Sequence, residues 1–242
     1  MLSLITVTYH AAATIERTLQ SVAAQTFQDY EHLIIDGASQ DGTVAICQRY
    51  QTERMTIVSE PDKGLYDAMN KGLRLAKGEY ICFLNAGDKL HSADTLQHIA
   101  EAAKKQTAGV LYGYTDIVDA DGNFISARRL VPPEQLTWKS FRWGMLVCHQ
   151  AFYVNRQIAR LYDLNYRFSA DFDWCIRCMK EGERRGLPNV FVREPLCDYL
   201  SEGMTTANHK ASLKERFQIM VKHYGLIPTV LRHLWFFLRN LR

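Results

Sequence analysis

The chain has 242 residues, of which 47% are hydrophobic and 23% are charged. This composition is ordinary for one soluble globular domain, and it excludes disordered, collagen-like and coiled-coil chains. The net charge of +3 is too small for a dedicated nucleic-acid-binding protein, so we expect no nucleic-acid partner.

The N-terminal apolar run, from Leu2 to Val7, has no basic residue before it and polar residues from Thr8 onward. This pattern indicates a buried strand rather than a signal peptide, and we expect a cytoplasmic protein. Six cysteines stand in apolar contexts, which is typical of reduced thiols in a core. Cys175 and Cys178 form a CxxC pair without a second ligand pair at zinc spacing, so the pair is a weak candidate for a metal or redox site.

Short apolar runs alternate with helical patterns over the first hundred or so residues. In chain order these are LSLITVT, TIERTLQSVAAQ, YEHLIID, TVAICQRYQ, MTIVSE, LYDAMNKGLRLAKG and EYICFL. Repeated strand, helix, strand units predict an α/β fold with a mainly parallel sheet flanked by helices. The ligand of such a sheet lies at the carboxyl ends of its strands, which here are residues 8–10, 36–37 and 85–88.

The alternation ends after a further helical pattern from Ala93 to Lys105. Two strands are then predicted, joined by a hairpin turn at Asp121-Gly122. An irregular, aromatic-rich stretch follows Pro132, and a helix near residues 171–181 and a strand at 189–200 come after it. No repeat or composition shift marks a second core, so residues 1–205 are expected to form one domain.

The C-terminal segment, residues 206–242, is different in character. From position 209 onward seven basic residues stand against one acidic residue, and TVLRHLWFFLRNLR places apolar side chains between arginines after interruptions at Gly225 and Pro228. The last segment is too short and too charged to span a bilayer, but it suits a helix lying among the headgroups of anionic lipids. The alternative is a terminal helix docked on the protein's own core or on a second subunit, as in a homodimer.

Two strand ends carry candidate ligand-binding groups. Asp36 ends a buried strand before a turn rich in Gly, Ser and Asp, where an acid either binds a base or ribose or only caps the turn. The strand at 80–84 ends in Asn85-Ala86-Gly87-Asp88, which presents an amide and a carboxylate at the same edge of the sheet. Such oxygen ligands suit Mg²⁺ or Mn²⁺, which keep several waters and bridge to a diphosphate.

Five segments in a fixed order carry a resemblance to a known family: Tyr9, IIDGASQDGT, EPDKGLYDAMNKGL, GEYICFLNAGD and SADFDW. Together they resemble the inverting family 2 glycosyltransferases with the GT-A fold, over about residues 1–200. The pattern is similar to that of the bacterial enzymes of colanic-acid, capsule and O-antigen assembly. The resemblance implies a nucleotide-diphosphate sugar as donor, expected to be a UDP-sugar, and a lipid-linked or polysaccharide acceptor.

The resemblance also implies roles for individual residues. In its donor half, residues 1–118, Tyr9 would stack on the base beside Thr8, and Asp36 would contact the uracil or ribose. Asp62, Asn70 and Lys71 would line the nucleotide and diphosphate. Residues 85–88 take the position of the family's DxD motif, where Asn85 and above all Asp88 would hold Mn²⁺ or Mg²⁺. The family's acidic motif has become Asn-Ala-Gly-Asp here, which leaves one carboxylate for the metal.

In the acceptor half, residues 119–205, the resemblance makes Asp171 the general base. Inversion needs a carboxylate beside the attacking hydroxyl, opposite the leaving diphosphate. Asp173 would point elsewhere, as an acid favoured by the helix dipole. His149 would lie near the diphosphate or acceptor, or serve only a structural role.

Four further residues are weaker candidates. Trp138, Trp143 and Tyr153 either form a platform for the acceptor sugar or pack in the core. SEGMTTANHK is expected to close over the donor, and His209 in it to reach the diphosphate.

The sequence leaves two alternatives open. One is an inactive scaffold subunit that binds a sugar nucleotide. The other, a nucleotidyltransferase, lacks the expected Gly-rich phosphate loop near the N-terminus. An enzyme that acts on a lipid-linked acceptor is expected to lie peripherally on the inner face of the plasma membrane.

Overall fold

The computed structural model describes residues 1–201 and 209–240. Its strands are β1 (Leu2–Thr8), β2 (Tyr30–Asp36), β3 (Met55–Ser59), β4 (Tyr80–Phe83), β5 (Lys89–Leu90), β6 (Val110–Val118), β7 (Phe124–Ala127), β8 (Phe152–Asn155) and β9 (Asn189–Leu200). Its α-helices are α1 (Ile15–Ala23), α2 (Thr43–Arg49), α3 (Leu65–Leu75), α4 (Thr95–Lys105), α5 (Ala170–Arg184), α6 (His209–Tyr224) and α7 (Leu226–Asn240). Two 3₁₀ helices cover Trp138–Trp143 and His149–Ala151.

The strands of the described part form one sheet in the order β3-β2-β1-β4-β8-β6-β9-β5, with β7 paired to β6. β1 pairs in parallel with β2 and β4, and β2 pairs in parallel with β3. β8 is antiparallel to both of its neighbours, β4 and β6. The predicted α/β fold with a mainly parallel sheet flanked by helices is confirmed, because α1, α2 and α3 connect the first four parallel strands.

The core lies on both faces of the central strands. Every residue of β1 is buried, as expected for a parallel strand covered by helices on both sides. Gly72 lets α3 approach the sheet closely, since a Cβ at this position would lie 2.4 Å from Cγ2 of Ile5. A larger residue there would push α3 away from β1 and β2.

The second half departs from the alternation at the predicted positions. β6 and β7 form the expected hairpin, and Gly122 in its turn has φ +89°, a conformation that favours glycine. All six cysteines are buried and free, as expected. Burial raises the pKa of Cys178 to about 12 and that of Cys175 well above its usual value, so both are inert core thiols of α5.

The C-terminal segment forms two helices joined at Gly225, whose φ is +89°. The predicted interruption at Pro228 is wrong, because this residue lies in the first turn of α7. A missing N–H costs nothing there. α6 packs against α5 and α7 packs against α6. Within the described residues, no helix has the length and apolar character needed to cross a membrane.

Candidate active site

Three strand ends meet at one edge of the sheet, as predicted. Thr8 at the end of β1 pairs with Asp36 at the end of β2, and the N–H of Gly37 donates to the carbonyl oxygen of Thr8 at 3.0 Å. The N–H of Leu84, just after β4, donates to the carbonyl oxygen of Ile5 at 2.9 Å. The polar residues that follow these three strands therefore lie along one edge of the sheet, and we call this edge the cleft.

Tyr9 stands at the mouth of this cleft with 66% of its surface exposed. A Cβ on Gly37 would lie 3.1 Å from Cδ2 of Tyr9 and 2.6 Å from Oδ2 of Asp62. Only glycine at position 37 therefore leaves space between the tyrosine ring and the Asp62 carboxylate. The exposed ring offers a stacking face, which suits a nucleotide base.

Asp36 is buried among serine side chains. Its Oδ2 accepts from the N–H of Ser39 at 2.9 Å and from Oγ of Ser59 at 2.6 Å, and its Oδ1 accepts from Oγ of Ser39. The carboxylate thus orders the loop after β2 against the end of β3.

Asn70 and Lys71 are engaged with the protein itself. The carboxamide of Asn70 donates to the carbonyl oxygen of Tyr162 at 3.1 Å and accepts from its N–H at 2.7 Å, so this buried residue ties α3 to the segment before α5. Nζ of Lys71 donates to the carbonyl oxygen of Pro61 at 2.8 Å and lies 3.0 Å from Glu60. Both residues brace the cleft rather than offer free side chains to it.

The turn at residues 85–88 is held from α1. Oγ1 of Thr18 accepts from the N–H of Gly87 at 2.9 Å and donates to the carbonyl oxygen of Asp88 at 2.7 Å. Gly87 has φ +99°, which explains why the turn requires glycine there. The turn therefore presents Asn85 and Asp88 in a fixed arrangement.

The Asp88 carboxylate is buried and hydrogen-bonded. Its Oδ2 accepts from Nε2 of Gln150 at 2.7 Å, and its Oδ1 accepts from the N–H of Leu200 at 2.9 Å. Burial raises the pKa of Asp88 to about 6 despite these two bonds. Gln150 was not predicted from the sequence, although it directly follows His149 in the CHQAF segment.

Asp171 lies in the first turn of α5 and is held from two sides. Its Oδ1 accepts from the hydroxyl of Tyr66 at 3.2 Å, and its Oδ2 lies 3.5 Å from Nδ1 of His149. Nε2 of the same imidazole lies 3.3 Å from Nδ2 of Asn85. A chain of polar contacts thus runs from the metal-binding candidate turn through His149 to Asp171.

The surroundings keep Asp171 ionised. Burial opposes the charge, but the hydrogen bond and charge of His149, together with the charge of Arg216, outweigh it and hold the pKa of Asp171 below its usual value. An ionised carboxylate that is partly exposed is suited to accept a proton from a hydroxyl. Asp171 and His149 were predicted from the sequence. Tyr66, in the GLYDAMNKG segment of α3, was not.

The donor set at residues 85–88 fits a divalent cation. Oδ1 of Asn85 is buried and has no hydrogen-bond partner among the described residues. Together with the carboxylate of Asp88, which uses two of its roughly four lone-pair positions, it provides the hard oxygen ligands that Mg²⁺ and Mn²⁺ prefer. Two protein ligands leave room for water and substrate phosphates.

A second group of potential ligands, His91, Asp116 and Asp198, has its ligand atoms within 4.8 Å of one another. Nδ1 of His91 is 2.7 Å from Oδ1 of Asp198. Nζ of Lys89 lies 3.2 Å from Oδ2 of Asp198 and already supplies a positive charge there. This charge disfavours a second cation at the group.

Asp173 points away from the cleft, as predicted, but it does more than complement the helix dipole. Its fully buried carboxylate accepts from Nε2 of His223 at 2.8 Å and from Nζ of Lys222 at 3.3 Å, and it pairs with Arg177. These cations and hydrogen bonds outweigh the effect of burial and hold its pKa well below the usual range. Asp173 is thus an anchor for α6.

The predicted aromatic platform does not form as a unit. Tyr153 is wholly buried in the core, so it cannot stack on a sugar, and core packing is the alternative that the structure shows for this residue. Trp138 stacks on Tyr224 at a centroid distance of 5.7 Å. Trp143 is exposed and lies 5.3 Å from Trp235 of α7. Residues 202–208 and the side chain of His209 fall outside the described part of the structure, and with them the predicted closing segment.

The chain is similar in sequence to known proteins. The family described as "Glycosyl transferase family 2" matches residues 3–160. A PGL/p-HBAD biosynthesis glycosyltransferase of Mycobacterium bovis is 34% identical over 196 residues, which cover 74% of this chain and 69% of that protein. The amylovoran biosynthesis glycosyltransferase AmsB of Erwinia amylovora is 26% identical over 216 residues, which cover 84% of this chain and 70% of that protein.

Solved structures share the fold. S. aureus TarS 1-349 in complex with UDP-GlcNAc superposes with a TM-score of 0.70 and 16% identity, over 90% of this chain and 64% of that chain. The mannosyltransferase PcManGT of Pyrobaculum calidifontis, in complex with GDP-Man and Mn²⁺, superposes with a TM-score of 0.62 and 18% identity, over 91% of this chain and 63% of that chain. This chain therefore spans less than two thirds of either solved chain, and at such identity the likeness is one of fold.

Proposed function

Because this chain belongs to glycosyl transferase family 2, we propose that it is an inverting enzyme that transfers a sugar from a UDP-sugar to a lipid-linked or polysaccharide acceptor. The observation that carries this proposal is the setting of Asp171, a carboxylate that is 15% exposed and that Tyr66 and His149 contact at its two oxygens. The curated relatives are named for glycolipid and polysaccharide biosynthesis. Their names support an acceptor of the same class in the assembly of a bacterial surface polysaccharide, such as capsule or O-antigen.

In the proposed reaction, Asp171 accepts the proton of the acceptor hydroxyl. The hydroxyl oxygen forms a bond to the anomeric carbon of the donor as the bond from that carbon to the diphosphate oxygen breaks. Attack opposite the leaving group inverts the configuration in a single displacement. Asp88 and Asn85 would hold Mn²⁺ or Mg²⁺, which when bound neutralises charge on the leaving diphosphate.

A double displacement is less well supported by the described residues. It requires a second carboxylate that is free to act as nucleophile beneath the sugar. Both oxygens of Asp88 already accept hydrogen bonds from Gln150 and Leu200, and Asp36 is surrounded by serine donors. Asp171 therefore remains as the base of a one-step reaction.

The nucleotide is proposed to bind across the strand ends, with its base on Tyr9 beside Thr8 and its ribose and diphosphate passing Asp36 and Asp62. Lys71 and Asn70 brace this wall of the cleft through their own hydrogen bonds. His149, which contacts both Asn85 and Asp171, is proposed to lie where the diphosphate meets the acceptor.

We further propose that α7 rests on the inner face of the plasma membrane. Thr229 is buried and the ring of His233 lies 5.1 Å from that of Phe217 in α6, which defines the inner side of α7. The outer side presents an exposed apolar stripe: Leu226, Ile227, Val230, Leu231 and Leu234. An exposed apolar face of this kind indicates a binding surface for a partner or a membrane. The net positive charge of the C-terminal segment favours anionic lipid as the partner.

Titration calorimetry with UDP, GDP and CMP, each with Mn²⁺ and with EDTA, tests the donor site. We expect UDP to bind, at least tenfold more weakly in EDTA, and Asp88→Asn to lose most of the gain from Mn²⁺. The control is Asp94→Asn, which changes an exposed acid in the same half. Tighter binding of GDP would show that the donor carries guanine rather than uracil. Binding without transfer to any acceptor would favour a scaffold subunit. Absence of binding under every condition would overturn the proposal.

A further inference from the structure

A carboxylate from α6 binds the backbone immediately before the candidate base. Oε1 of Glu215 accepts from the N–H of Arg167 at 2.8 Å, and Oε2 accepts from the N–H groups of Phe168 at 2.8 Å and Ser169 at 2.9 Å. Three successive amide groups thus converge on one side chain. Such a nest of N–H groups is an anion-binding arrangement.

The start of α5 depends on this carboxylate because it has no cap of its own. Ser169 occupies the N-cap position, but its side chain makes no capping hydrogen bond. Its Oγ instead lies 2.9 Å from Oγ of Ser212 in α6. N–H groups at a helix start need outside partners, and negative charge is favoured there. Glu215, from a different helix, accepts from the N–H of the N-cap residue Ser169 and brings a negative charge to this helix start.

The position of Asp171 follows from that of the loop. Asp171 is the second residue of α5, two positions after Ser169, so a shift of the loop moves its carboxylate relative to Tyr66 and His149. α6 is also fixed at its other end, where His223 binds Asp173. Two ties between the same helices, one on each side of Asp171, leave the base little freedom.

We propose that Glu215 is a positioning residue for sugar transfer, because its carboxylate fixes the loop at 167–169 and thereby the place of Asp171. This inference rests on the proposed function, in which Asp171 is the base. If Glu215 has this role, α6 is needed for activity. Of the two C-terminal helices, only α7 can then be deleted without loss of activity.

The test compares Glu215→Gln with Lys214→Gln, an exposed neighbour on α6. Gln keeps the size of Glu but turns an NH₂ group toward N–H donors. The assay follows release of UDP or GDP from UDP-GlcNAc, UDP-glucose and GDP-mannose with Mn²⁺. We expect kcat of Glu215→Gln to fall about tenfold to a hundredfold, since small misplacements of a catalytic group have effects of this size. The KM for the donor and the Kd for UDP should stay within about twofold, and Lys214→Gln should match the wild type.

Hydrogen exchange provides a readout that needs no substrate. In Glu215→Gln the amides of residues 167–169 should exchange faster than in the wild type, while those of β1 and β2 remain unchanged. Equal exchange in the two proteins, or an unchanged kcat, overturns the inference. A fall in kcat that is matched by an equal weakening of UDP binding also overturns it, since that result indicates general loss of structure.

Failure of the proposed function is distinguishable from failure of this inference. If Asp171→Asn retains normal turnover while Glu215→Gln alters exchange, Asp171 is not the base and the role of Glu215 is only structural. If Asp171→Asn abolishes turnover while Glu215→Gln leaves it unchanged, the proposed function stands and the inference fails.

Discussion

Asp171 and Asp173 lie two residues apart in the first turn of α5, yet their carboxylates have different partners. Asp171 contacts Tyr66 and His149 in the cleft, whereas Asp173 binds His223 of α6. A helix turns by about 100° per residue, so positions i and i+2 face well apart. One carboxylate is therefore available for chemistry and the other holds the C-terminal helices in place.

Asp171→Asn should abolish transfer without weakening donor binding. The substitution keeps the shape of the side chain and removes its ability to accept a proton, so we expect turnover to fall by about 10² to 10⁴. The Kd for UDP should change less than about twofold. The comparison is between steady-state turnover and calorimetric UDP binding for the variant and the wild type. Normal turnover in the variant would exclude Asp171 as the base.

Asp173→Asn should mainly destabilise the fold. The change removes the negative charge that pairs with Arg177, Lys222 and His223. Removal of one partner from a buried ion pair costs about 3 kcal/mol, and urea unfolding monitored by circular dichroism measures the loss. Asp163→Asn is the control, because that acid pairs with Lys222 nearer the surface. A loss no larger than in the control would mean that Asp173 is not an anchor.

His149→Gln should shift the pH dependence of turnover. The hydrogen bond and charge of His149 lower the pKa of Asp171, so their removal raises that pKa. The base must be ionised to act, and the acidic limb of the kcat profile should therefore move to higher pH. Turnover measured between pH 4 and 8 for both proteins gives the shift. An unmoved limb, or one displaced to lower pH, contradicts this account of Asp171.

His32 in β2 should make the fold sensitive to acid. It is buried, its Nε2 lies 2.9 Å from Oγ1 of Thr6, and burial lowers its pKa from 6.5 to about 4. A lowered pKa in the folded state means that the unfolded state binds the proton more readily below pH 6.5. Stability is then fully present above that pH and is lost as the pH falls toward 4.

The expected loss from His32 is about 2 kcal/mol between pH 7.5 and pH 5. Urea unfolding of the wild type and His32→Gln at both pH values measures it, with His98→Gln as a control on α4. His32→Gln should lose less stability on acidification than either other protein. Parallel losses in all three would assign the acid sensitivity to other groups.

The fold was largely predictable because short apolar-rich runs such as β1 and β2 alternate with helical patterns, which is typical of a parallel sheet covered by helices. The placement of β8 between β4 and β6 was not predictable, since strand order there depends on long-range pairing that local sequence does not encode. The candidate site shows the same division. Asp171 and Asp88 belong to recognisable motifs, whereas Tyr66 and Glu215 act through contacts between distant helices. Their neighbours in the chain give no sign of those contacts.

Substitution of the apolar stripe on α7 should release the protein from anionic vesicles. Ile227 and Leu231 are 73% and 61% exposed, so their replacement by Ser should leave the fold intact and lower membrane affinity by about 0.8 kcal/mol for each buried CH₂ lost. Deletion from Gly225 onward should have the same effect, because α6 keeps its ties to α5 through Glu215 and His223. Sedimentation with phosphatidylglycerol vesicles measures the binding, and phosphatidylcholine vesicles control for charge. If Ile227→Ser/Leu231→Ser still binds the vesicles, α7 is not the membrane contact. If it instead converts a dimer to a monomer in sedimentation velocity, the stripe is an interface between two copies of this chain.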